Sequence, residues 1–458
     1  MSKIPVIAIF DIGKTNKKVL LFDEHYKVVY EESRQFDEIT DEDGFACEDL
    51  MVLTNWVKES FAQLQHHENF DIKAVNFSGY GASFVYLDDQ LNVIAPLYNY
   101  LKPYSPDLQK QFYAAYGGES KLSKQTASPV LGNLNSGMQL YRMKYEQPAL
   151  FAKIRYALHF PQYLSFILTG NVHTDITSIG CHTSLWNFSN QQYHEWVEEE
   201  GIDEKFAPIL PCEEIAGYAG ENIPVGVGLH DSSAALIPYL RFFHERFILL
   251  STGTWCITLN PFNHSVLTDY ELHHDCLSYL SFQGNAIKAS RLFAGYEHEQ
   301  QTKRLSAHFN KPLDYFKQVV CNPQWLKRQD QLKDYTKQDD GAMLHQSVFE
   351  TRDLSGFDSY EKAYHQLIAD IIVQQVFSTG LVLKGTEVKR IFVDGGFSKN
   401  PIFMNMLAEL FPEMETFAAT VAQASSLGAA LVMHQHWNTR PLPSDIIDLK
   451  FYAGIHRK

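Results

Sequence analysis

Polar residues that could hold a phosphate group lie between the first two apolar segments of the chain. The sequence VIAIFDIGKTNKKVLLFDE, residues 6–24, contains Gly13-Lys14-Thr15, which resembles the end of a Walker-type P-loop. That loop also needs a glycine five positions before Gly13 and a helix directly after the threonine, so that helical N–H groups bind phosphate. Residue 8 is alanine, and KVLLF, residues 18–22, is typical of a strand. The segment therefore predicts a β-hairpin with a polar tip.

A second segment repeats this design about half a chain later. RFILLSTGTWCITLN, residues 246–260, has an apolar run, a tip of small and hydroxyl residues at Ser251-Thr252-Gly253-Thr254, and a second apolar run. Two such hairpins predict two related domains. If both tips face a shared cleft, their backbone amides can hold the two ends of a polyphosphate, because glycine permits close backbone approach.

Two aspartates could support the chemistry of a transferred phosphate. Asp231 precedes SSAALI, a predicted helix start, where the macrodipole stabilises an ionised carboxylate by about 0.3–1 kcal/mol. Such a carboxylate can accept a hydroxyl proton at neutral pH, although an aspartate before a helix is more often an N-cap. Asp11 ends the first predicted strand and could bind Mg²⁺ through water or simply cap a turn.

The composition excludes several classes of partner. The 458 residues are 45% hydrophobic and carry a formal charge of −15, which disfavours nucleic acid and anionic membranes as partners. Six scattered cysteines without a C-x-x-C pair fit reduced cytosolic thiols, and the apolar run at residues 5–10 is too short for a signal or a membrane span. We therefore expect a cytoplasmic protein. The charged stretches DEDGFACEDL (41–50) and KRQDQLKDYTKQDDG (327–341) are interpreted as solvated surface or loops.

Strands and helices alternate along the chain, which predicts an α/β fold. Apolar residues between 50 and 64 recur at helical spacing, and IKAVNFSG after them reads as a buried strand. In the second half, YEKAYHQLIADIIVQQVFSTGLVL predicts a long helix, and VKRIFVDGG predicts a strand that ends in a glycine turn.

Four motifs in order make the chain resemble the FGGY family of carbohydrate kinases, within the actin, hexokinase and chaperone ATPase superfamily. They are residues 11–15 (DIGKT), 228–231 (GLHD), 251–254 (STGT) and 394–400 (DGGFSKN). The resemblance covers nearly the whole chain. It implies two ribonuclease H-like domains flanking an ATP cleft: residues 1–240 with the sugar site, the first phosphate hairpin and the catalytic aspartate, and residues 241–458 with the nucleotide site.

The resemblance also implies a role for each motif residue. Asp231 would be the catalytic base and Asp11 the Mg²⁺ residue. Contacts to ATP would come from Gly13, Lys14, Thr15, Asn16, Thr252, Gly253, Thr254, Gly395, Gly396, Phe397 and Asn400. The sugar would be contacted by Tyr80, Gly81, Ser83, Phe84 and His230. Asn400 with Pro401 is in addition a good helix cap.

Within the family, YGASFVYLDD (80–89), the HD pair and STGTW are most similar to rhamnulose kinases. The chain departs from the family at Lys14 and Asn16, where threonine or serine is usual, at Gln423, where an acidic residue is frequent, and at Ser83, where an aspartate is expected. The resemblance implies an ATP-dependent kinase for a ketose, a 6-deoxyketohexose such as L-rhamnulose.

Several alternatives stay open at this point. The substrate could be L-fuculose, xylulose or ribulose, or the chain could be a nucleotide-binding regulator that does not catalyse transfer. The expected partner is a small-molecule sugar, with a homodimer possible. An ATP-driven chaperone would need a peptide-binding domain after the ATPase. The sequence does not decide whether Asn99 and Gln162 contact sugar. His273-His274-Asp275-Cys276 is not expected to bind metal, because adjacent residues on an extended segment face opposite sides.

Overall fold

A computed structural model describes residues 3–326, 347–421 and 423–454, in two compact units. Unit 1 consists of residues 1–242, 278–286 and 422–446, and unit 2 consists of the remainder. The charged stretch 327–341 lies outside the described residues. The functional division predicted at residues 240 and 241 stays a prediction.

Unit 1 contains a mixed sheet built around the first predicted hairpin. The strand Ile4–Ile12 pairs antiparallel with Lys17–Asp23, and Lys17–Asp23 pairs antiparallel with Val28–Arg34. On the other side of Ile4–Ile12 the strand Phe70–Gly79 runs parallel, as expected for a strand that returns through a helix. That helix, Leu50–Gln65, begins at Asp49, whose side chain accepts from two backbone N–H groups. The sheet continues with Ile223–Gly226 and Ile215–Ala219, and Leu229–His230 also pairs with Phe70–Gly79.

Unit 2 repeats this order of strands. Phe247–Thr252 pairs antiparallel with Cys256–Asn260, which pairs antiparallel with Ala286–Leu292. The strand Arg390–Gly395 runs parallel to Phe247–Thr252 on its other side. Glu415–Thr420, Asp448–Tyr452 and, at the opposite edge, Cys276–Leu280 complete the seven-stranded sheet. The weak internal repeat of the sequence thus corresponds to two sheets in which a hairpin is followed by a parallel strand, and the predicted α/β fold is confirmed.

The remaining elements surround these sheets. The other helices are Pro106–Ala115, Glu119–Gln125, Ser136–Glu146, Pro148–Phe151, Phe160–Thr169, Ile176–Ile179, Glu195–Glu199, Asp231–Phe242, Asp269–His273, Ala294–Phe309, Tyr360–Leu383, Pro401–Leu410, Ala424–Val432 and His434–Trp437. Short strands are Ile39–Thr40, Ala46–Cys47, Phe84–Leu87, Tyr156–His159, Thr174–Asp175, Trp186–Asn187, Gln192–Tyr193 and Ile209–Leu210. Single 3-10 turns are Gly132–Leu134, Asp203–Lys205, Tyr315–Gln318, Pro323–Trp325, Leu354–Gly356 and Phe397–Lys399.

Each unit has its own apolar core. In unit 1, Val6, Ala8, Phe10 and Ile12 pack from the first strand against the helix Leu50–Gln65. In unit 2 the long helix Tyr360–Leu383 packs against the central strands through residues such as Leu367, Ile368 and Ile371. Among the described helices this one is long and apolar enough to cross a membrane, and 67% of its apolar window is buried inside the protein. Its apolar character is therefore accounted for by the core of unit 2.

The interpretation of residues 41–50 as solvated surface is wrong for two of their carboxylates. Asp41 is buried and accepts from Nζ of Lys102 at 2.6 Å. Glu48 is buried and pairs with Nζ of Lys17 at 2.7 Å. Buried charges need such partners because desolvation of an isolated ion is costly. The lysines that pair with Asp41 and Glu48 lie outside the segment 41–50. The composition of that segment alone therefore suggested that its carboxylates are exposed to solvent.

Candidate active site

Asp11 lies at the carboxyl end of the first strand of unit 1. Its Oδ2 atom accepts hydrogen bonds from the hydroxyl of Ser425 at 3.0 Å and from that of Ser426 at 2.8 Å, at the start of the helix Ala424–Val432. Burial raises the pKa of Asp11, the bond from Ser426 lowers it, and the negative charge of Asp231 raises it further. In the sheet Asp11 pairs with Ser78 and His230 pairs with Gly79, so Asp11 and the start of the helix at Asp231 lie at the same end of the strand Phe70–Gly79.

Asp231 is the first residue of the helix Asp231–Phe242, as the sequence predicted for a carboxylate at a helix start. Its Oδ1 atom accepts from the backbone N–H of Ser232 at 2.6 Å and lies 3.3 Å from Nε2 of His230. Burial raises the pKa of the Asp231 carboxyl to about 6. The side chain is still 35% exposed, so a substrate can reach it. A carboxylate with this pKa is ionised at neutral pH and is a stronger base than an ordinary aspartate.

His230 lies beside Asp231 in a buried pocket. Its Nε2 atom is 3.0 Å from Sγ of Cys181, and its Nδ1 atom is 3.3 Å from the hydroxyl of Ser233. Burial lowers the pKa of His230 to about 3, so the ring is neutral at pH 7. A side chain on Gly81 would bring its Cβ to 2.9 Å from Cδ2 of His230. The structure therefore brings together Gly81 and His230, two of the predicted sugar residues, and only glycine fits this close approach.

The other predicted sugar residues have different environments. The hydroxyl of Ser83 is buried and has no hydrogen-bond partner among the described residues. Tyr80 is buried, and its ring centroid lies 4.5 Å from that of Phe160. Phe84 is fully buried, with its ring centroid 4.2 Å from that of His159. A sugar contact by Phe84 therefore stays a prediction, because this ring packs in the core.

Gln162 and Asn99, whose roles the sequence left open, both make local hydrogen bonds. Nε2 of Gln162 donates to the carbonyl of Gly228 at 2.8 Å, in the turn before Asp231. Oε1 of Gln162 is buried and has no partner among the described residues. Nδ2 of Asn99 donates to the carbonyl of Ala46 at 3.1 Å, at the surface. Gln162 thus supports the turn that carries His230 and Asp231.

The tip of the first hairpin is a tight turn in which the backbone N–H of Gly13 donates to the carbonyl of Asn16 at 3.0 Å. Nζ of Lys14 lies 2.6 Å from Oε1 of Glu38, and Oδ1 of Asn16 accepts from Nε2 of Gln35 at 2.7 Å. Thr15 is exposed. The four residues predicted to contact phosphate are thus adjacent at the surface, and the side chains of Lys14 and Asn16 have protein partners.

Sequence reasoning missed the support beneath this tip. Lys17 is almost fully buried, and its Nζ donates to the carbonyl of Lys14 at 2.9 Å as well as pairing with Glu48. The alternation of residues along the second strand could have indicated that Lys17 is buried. Lys17 lies on the same face of this strand as Val19 and Leu21, which belong to the core. A lysine on an apolar strand face needs a buried anionic partner.

The second hairpin tip contacts the glycine turn after Arg390–Gly395. The carbonyl of Thr252 accepts from the N–H of Gly396 at 2.7 Å, and the Thr252 hydroxyl donates to the carbonyl of Asp394. Gly395 has φ +81°, and a Cβ there would lie 2.0 Å from the Thr252 carbonyl oxygen. The predicted nucleotide motif thus requires glycine at residue 395 for both its conformation and its contact.

A cavity of about 640 Å³ in unit 2 adjoins these two turns. This volume lies within the range of small-molecule sites. Five of the predicted nucleotide residues line it: Thr252, Gly253, Gly396, Phe397 and Asn400. Thr254 and Gly395 are adjacent in sequence but do not line it. Lys399, which belongs to the predicted motif 394–400, and Pro401 also line it. Residues that the sequence did not indicate complete the wall: Gly295, His298, Phe316, Lys317, Val319 and Tyr364.

Asn400 has the predicted capping role in this wall. Its Oδ1 atom accepts from the N–H groups of Ile402 and Phe403 at the start of the helix Pro401–Leu410, and Pro401 is the first helical residue. Its Nδ2 atom donates to the hydroxyl of Tyr364 at 2.8 Å.

Of the described residues, no group of three or more His, Cys, Asp or Glu side chains could hold a metal ion.

Comparison with protein families identifies both halves of the chain. Residues 6–237 match the N-terminal domain of the FGGY family of carbohydrate kinases, and residues 244–441 match the C-terminal domain of FGGY carbohydrate kinases. A rhamnulokinase of Halalkalibacterium halodurans is 22% identical over 480 residues, 98% of each chain. A rhamnulokinase of Mannheimia succiniciproducens is 25% identical over 258 residues, and this alignment spans 55% of the present chain and 52% of the relative.

Solved structures share the fold along nearly the whole chain. A ligand-bound xylulose kinase from Lactobacillus acidophilus superposes with a TM-score of 0.79 at 16% identity, covering 98% of this chain and 94% of the other. A carbohydrate kinase from Novosphingobium aromaticivorans gives a TM-score of 0.75 at 21% identity, covering 99% and 95%. At these identities the structures establish the fold alone.

Proposed function

The chain belongs to the FGGY family of carbohydrate kinases, which makes it an ATP-dependent sugar kinase, and we propose that its acceptor is a 6-deoxyketohexose such as L-rhamnulose. The observation that carries this substrate is the full-length alignment with a rhamnulokinase, at 22% identity. It is supported by the segments at 80–89, 230–231 and 251–255, where the sequence is most similar to rhamnulose kinases.

Asp231 is the proposed catalytic base. Phosphoryl transfer passes through a loose transition state, so the protein contributes mainly by positioning the acceptor oxygen and stabilising charge. The Oδ1 atom of Asp231 is held by the N–H of Ser232, and a pKa of about 6 leaves the carboxylate ionised at neutral pH. It can then accept the hydroxyl proton as the acceptor oxygen attacks the γ-phosphorus, while the bond from that phosphorus to the bridging oxygen of the β-phosphate breaks and ADP leaves. The neutral His230 beside it and the unpartnered Ser83 hydroxyl are the proposed contacts to the sugar.

The residues around Asp11 fit a magnesium ion bound mostly through water. Both serine hydroxyls bind Oδ2 of Asp11, and Oδ1 is the atom proposed to face a hydrated ion. One carboxylate suits Mg²⁺, which loses water reluctantly and is held by few protein groups and the substrate phosphates. The ion would neutralise charge on the transferred phosphate. The proposed role of Asp11 is to hold this ion, and that of Ser425 and Ser426 is to orient Asp11.

The cavity of unit 2 is the proposed nucleoside site. Its volume suits a nucleoside, and the aromatic residues Phe316, Phe397 and Tyr364 line it with two lysines. A wall of this kind offers apolar surface to a base and cationic groups to the sugar and phosphates. The predicted contacts of Thr252, Gly253, Gly396, Phe397 and Asn400 with ATP are consistent with their place in this wall.

A second candidate function is a nucleotide-binding regulator that senses sugar without transfer. It requires no base, so the raised pKa and solvent access of Asp231 favour the kinase. L-fuculose, xylulose and ribulose remain candidate acceptors within the kinase function, because structures at 16% identity do not discriminate among sugars.

The test is ADP release measured with purified protein over rhamnulose, fuculose, ribulose, xylulose, glycerol and an aldose. We expect the highest kcat/KM for a 6-deoxyketose, with rhamnulose first. A preference for glycerol or an aldose would contradict the proposed substrate, and ATP binding without ADP release on any sugar would support the regulator instead.

A further inference from the structure

Three polar side chains form a hydrogen-bonded series in the wall of the unit 2 cavity. The series begins at Asn400, whose Oδ1 atom accepts from the N–H groups of Ile402 at 3.0 Å and Phe403 at 3.3 Å. These two donors determine which end of the amide is oxygen. Nδ2 must therefore be the atom that lies 2.8 Å from the Tyr364 hydroxyl, and an amide nitrogen can only donate.

The Tyr364 hydroxyl links Asn400 to His298. Its oxygen has lone pairs for two donors, but its proton needs an acceptor, and among the described residues the acceptor within hydrogen-bond distance is Nε2 of His298, at 2.9 Å, since Nδ2 of Asn400 can only donate. Satisfying this proton therefore directs the Tyr364 bond towards His298. Burial raises the pKa of Tyr364, so the hydroxyl keeps its proton. Nε2 of His298 is then an acceptor. Burial lowers the pKa of His298 to about 4, and a neutral imidazole carries its single proton on the other nitrogen.

His298 lies among aromatic rings in this wall. Its ring centroid is 4.9 Å from that of Phe316 and 5.3 Å from that of Phe397, both nearly perpendicular to it. These packed rings hold the imidazole plane. Among the residues that the structure describes, Nδ1 of His298 has no hydrogen-bond partner, although the residue lines the cavity. Nδ1–H is thus the polar group that His298 can offer to a ligand, and it is a donor.

We propose that His298 is a nucleobase-binding residue whose Nδ1–H donates to a ring nitrogen of the purine, and that Asn400 and Tyr364 are positioning residues that hold its proton on Nδ1. This inference rests on the proposed nucleoside site. A ring nitrogen is the acceptor because the neighbours of His298 are aromatic side chains, which suit a base and not a triphosphate. Asn400 therefore has two roles. Its Oδ1 atom caps the helix Pro401–Leu410, and the same cap orients Nδ2 towards Tyr364, whose hydroxyl then bonds to His298.

The hydrogen-bonded series from Asn400 through Tyr364 to His298, called the relay below, is tested without nucleotide. The measurement is ¹⁵N NMR of the full chain labelled at histidine. His298→Gln identifies the resonances of His298 by their loss. We expect the wild-type ring to be protonated on Nδ1. Asn400→Asp keeps an oxygen for the helix cap but replaces the donor by an acceptor, so the Tyr364 proton turns away from His298 and the proton of His298 moves to Nε2. A wild-type ring protonated on Nε2, or an unchanged tautomer in Asn400→Asp, would overturn the relay.

The ligand is tested by equilibrium binding of ATP and of its 1-deaza, 3-deaza and 7-deaza analogues. In the wild type, one analogue should bind about 5- to 30-fold more weakly than ATP, because it leaves the Nδ1–H donor unpaired. In His298→Ala the same analogue should bind as well as ATP. Tyr364→Phe should weaken ATP binding, whereas Tyr360→Phe, which removes a buried hydroxyl one turn away on the same helix and outside the cavity wall, should not.

The outcomes separate this inference from the proposed function. Normal ATP binding with equal affinity for every analogue, or an analogue effect that persists in His298→Ala, would overturn the role of His298 and leave the kinase proposal intact. Absence of ATP binding to the wild type would overturn the nucleoside site, and with it the ligand of His298, while the NMR measurement would still decide the relay. Melting temperatures of all variants establish that each one is folded.

Discussion

The Nζ atom of Lys17 lies 2.7 Å from Oε1 of Glu48, and the two side chains are only 2% and 3% exposed. The same ammonium donates to the carbonyl of Lys14 at 2.9 Å, so a buried ion pair is attached to the tip of the first hairpin. Oε2 of Glu48 has no hydrogen-bond partner among the described residues. Removal of either member would leave a buried charge without compensation, which is more costly than removal of both.

The first prediction concerns this pair. Glu48→Leu or Lys17→Met should each lower the free energy of unfolding by about 3–5 kcal/mol, because one unpaired buried charge remains. The double variant should recover most of that loss. Urea denaturation of the four proteins measures the three differences. Additive losses in the double variant would contradict a direct buried interaction. Because Lys17 also bonds to the hairpin tip, KM for ATP should rise in Lys17→Met even in the double variant.

The second prediction concerns the serines that bind Asp11. Ser426→Ala removes the hydrogen bond that most lowers the pKa of this carboxyl, so that pKa should rise and the orientation of the carboxylate should loosen. We expect an increase in the Mg²⁺ concentration that gives half-maximal activity, by about 5- to 30-fold. Ser425→Ala should have a smaller effect in the same direction. An unchanged Mg²⁺ requirement in both variants would remove these serines from the proposed metal site.

The third prediction is the pH dependence of turnover. The proposed base must be ionised, and the pKa of Asp231 in the free protein is raised to about 6. The value of kcat/KM should therefore fall below pH 6 and be constant above it, until other groups titrate. His230 should not contribute, because its pKa is lowered to about 3 and the ring stays neutral over this range. Initial rates between pH 5 and 8 test this, and a kcat/KM that stays constant down to pH 5, as an aspartate of ordinary pKa would give, would contradict it.

Much of the fold could be predicted from the sequence because it depends on neighbouring segments. Both hairpins appear as adjacent apolar runs, and the parallel strand in unit 1 follows its helix directly, so periodicity and turn residues are sufficient. The positions of Asp11 at a strand end and Asp231 at a helix start follow from the same local signals. These are the features that the structure confirms.

The rest depends on contacts between distant segments. Ser425 and Ser426 reach Asp11 across more than 400 positions of the chain, and no local pattern connects them. The cavity wall combines the helices Ala294–Phe309 and Tyr360–Leu383 with two turns, so His298 could not be identified from its neighbours in sequence. The family resemblance associated Phe84 with the sugar, as an aromatic residue of the segment 80–89. The structure buries the whole strand Phe84–Leu87, which a short apolar run does not reveal.

The fourth prediction tests the proposed base directly. Asp231→Asn retains an oxygen that can accept from the N–H of Ser232 but removes the group that accepts the proton. We expect kcat on the best ketose to fall by about 10²- to 10⁴-fold, with ATP affinity retained. The control is Asp89→Asn, which changes an exposed loop carboxylate of the same unit and should leave kcat unchanged. Near wild-type turnover in a folded Asp231→Asn protein would remove Asp231 from the mechanism.

The fifth prediction is that the same substitution has a pH-dependent effect on stability. The pKa of Asp231 is about 6 in the folded chain and near the ordinary aspartate value of 3.8 when unfolded. Between these values the folded state binds more protons, so ionisation makes the wild type progressively less stable as pH rises from 4 to above 6. Asparagine cannot ionise. The difference in unfolding free energy between Asp231→Asn and wild type should therefore shift in favour of the variant between pH 4 and pH 8, as urea denaturation at both pH values would measure. Relief of repulsion at Asp11, whose pKa the charge of Asp231 raises, acts in the same direction. Asp89→Asn provides the matched comparison, and a difference that does not vary with pH would mean that the fold does not oppose the charge that the proposed catalysis requires.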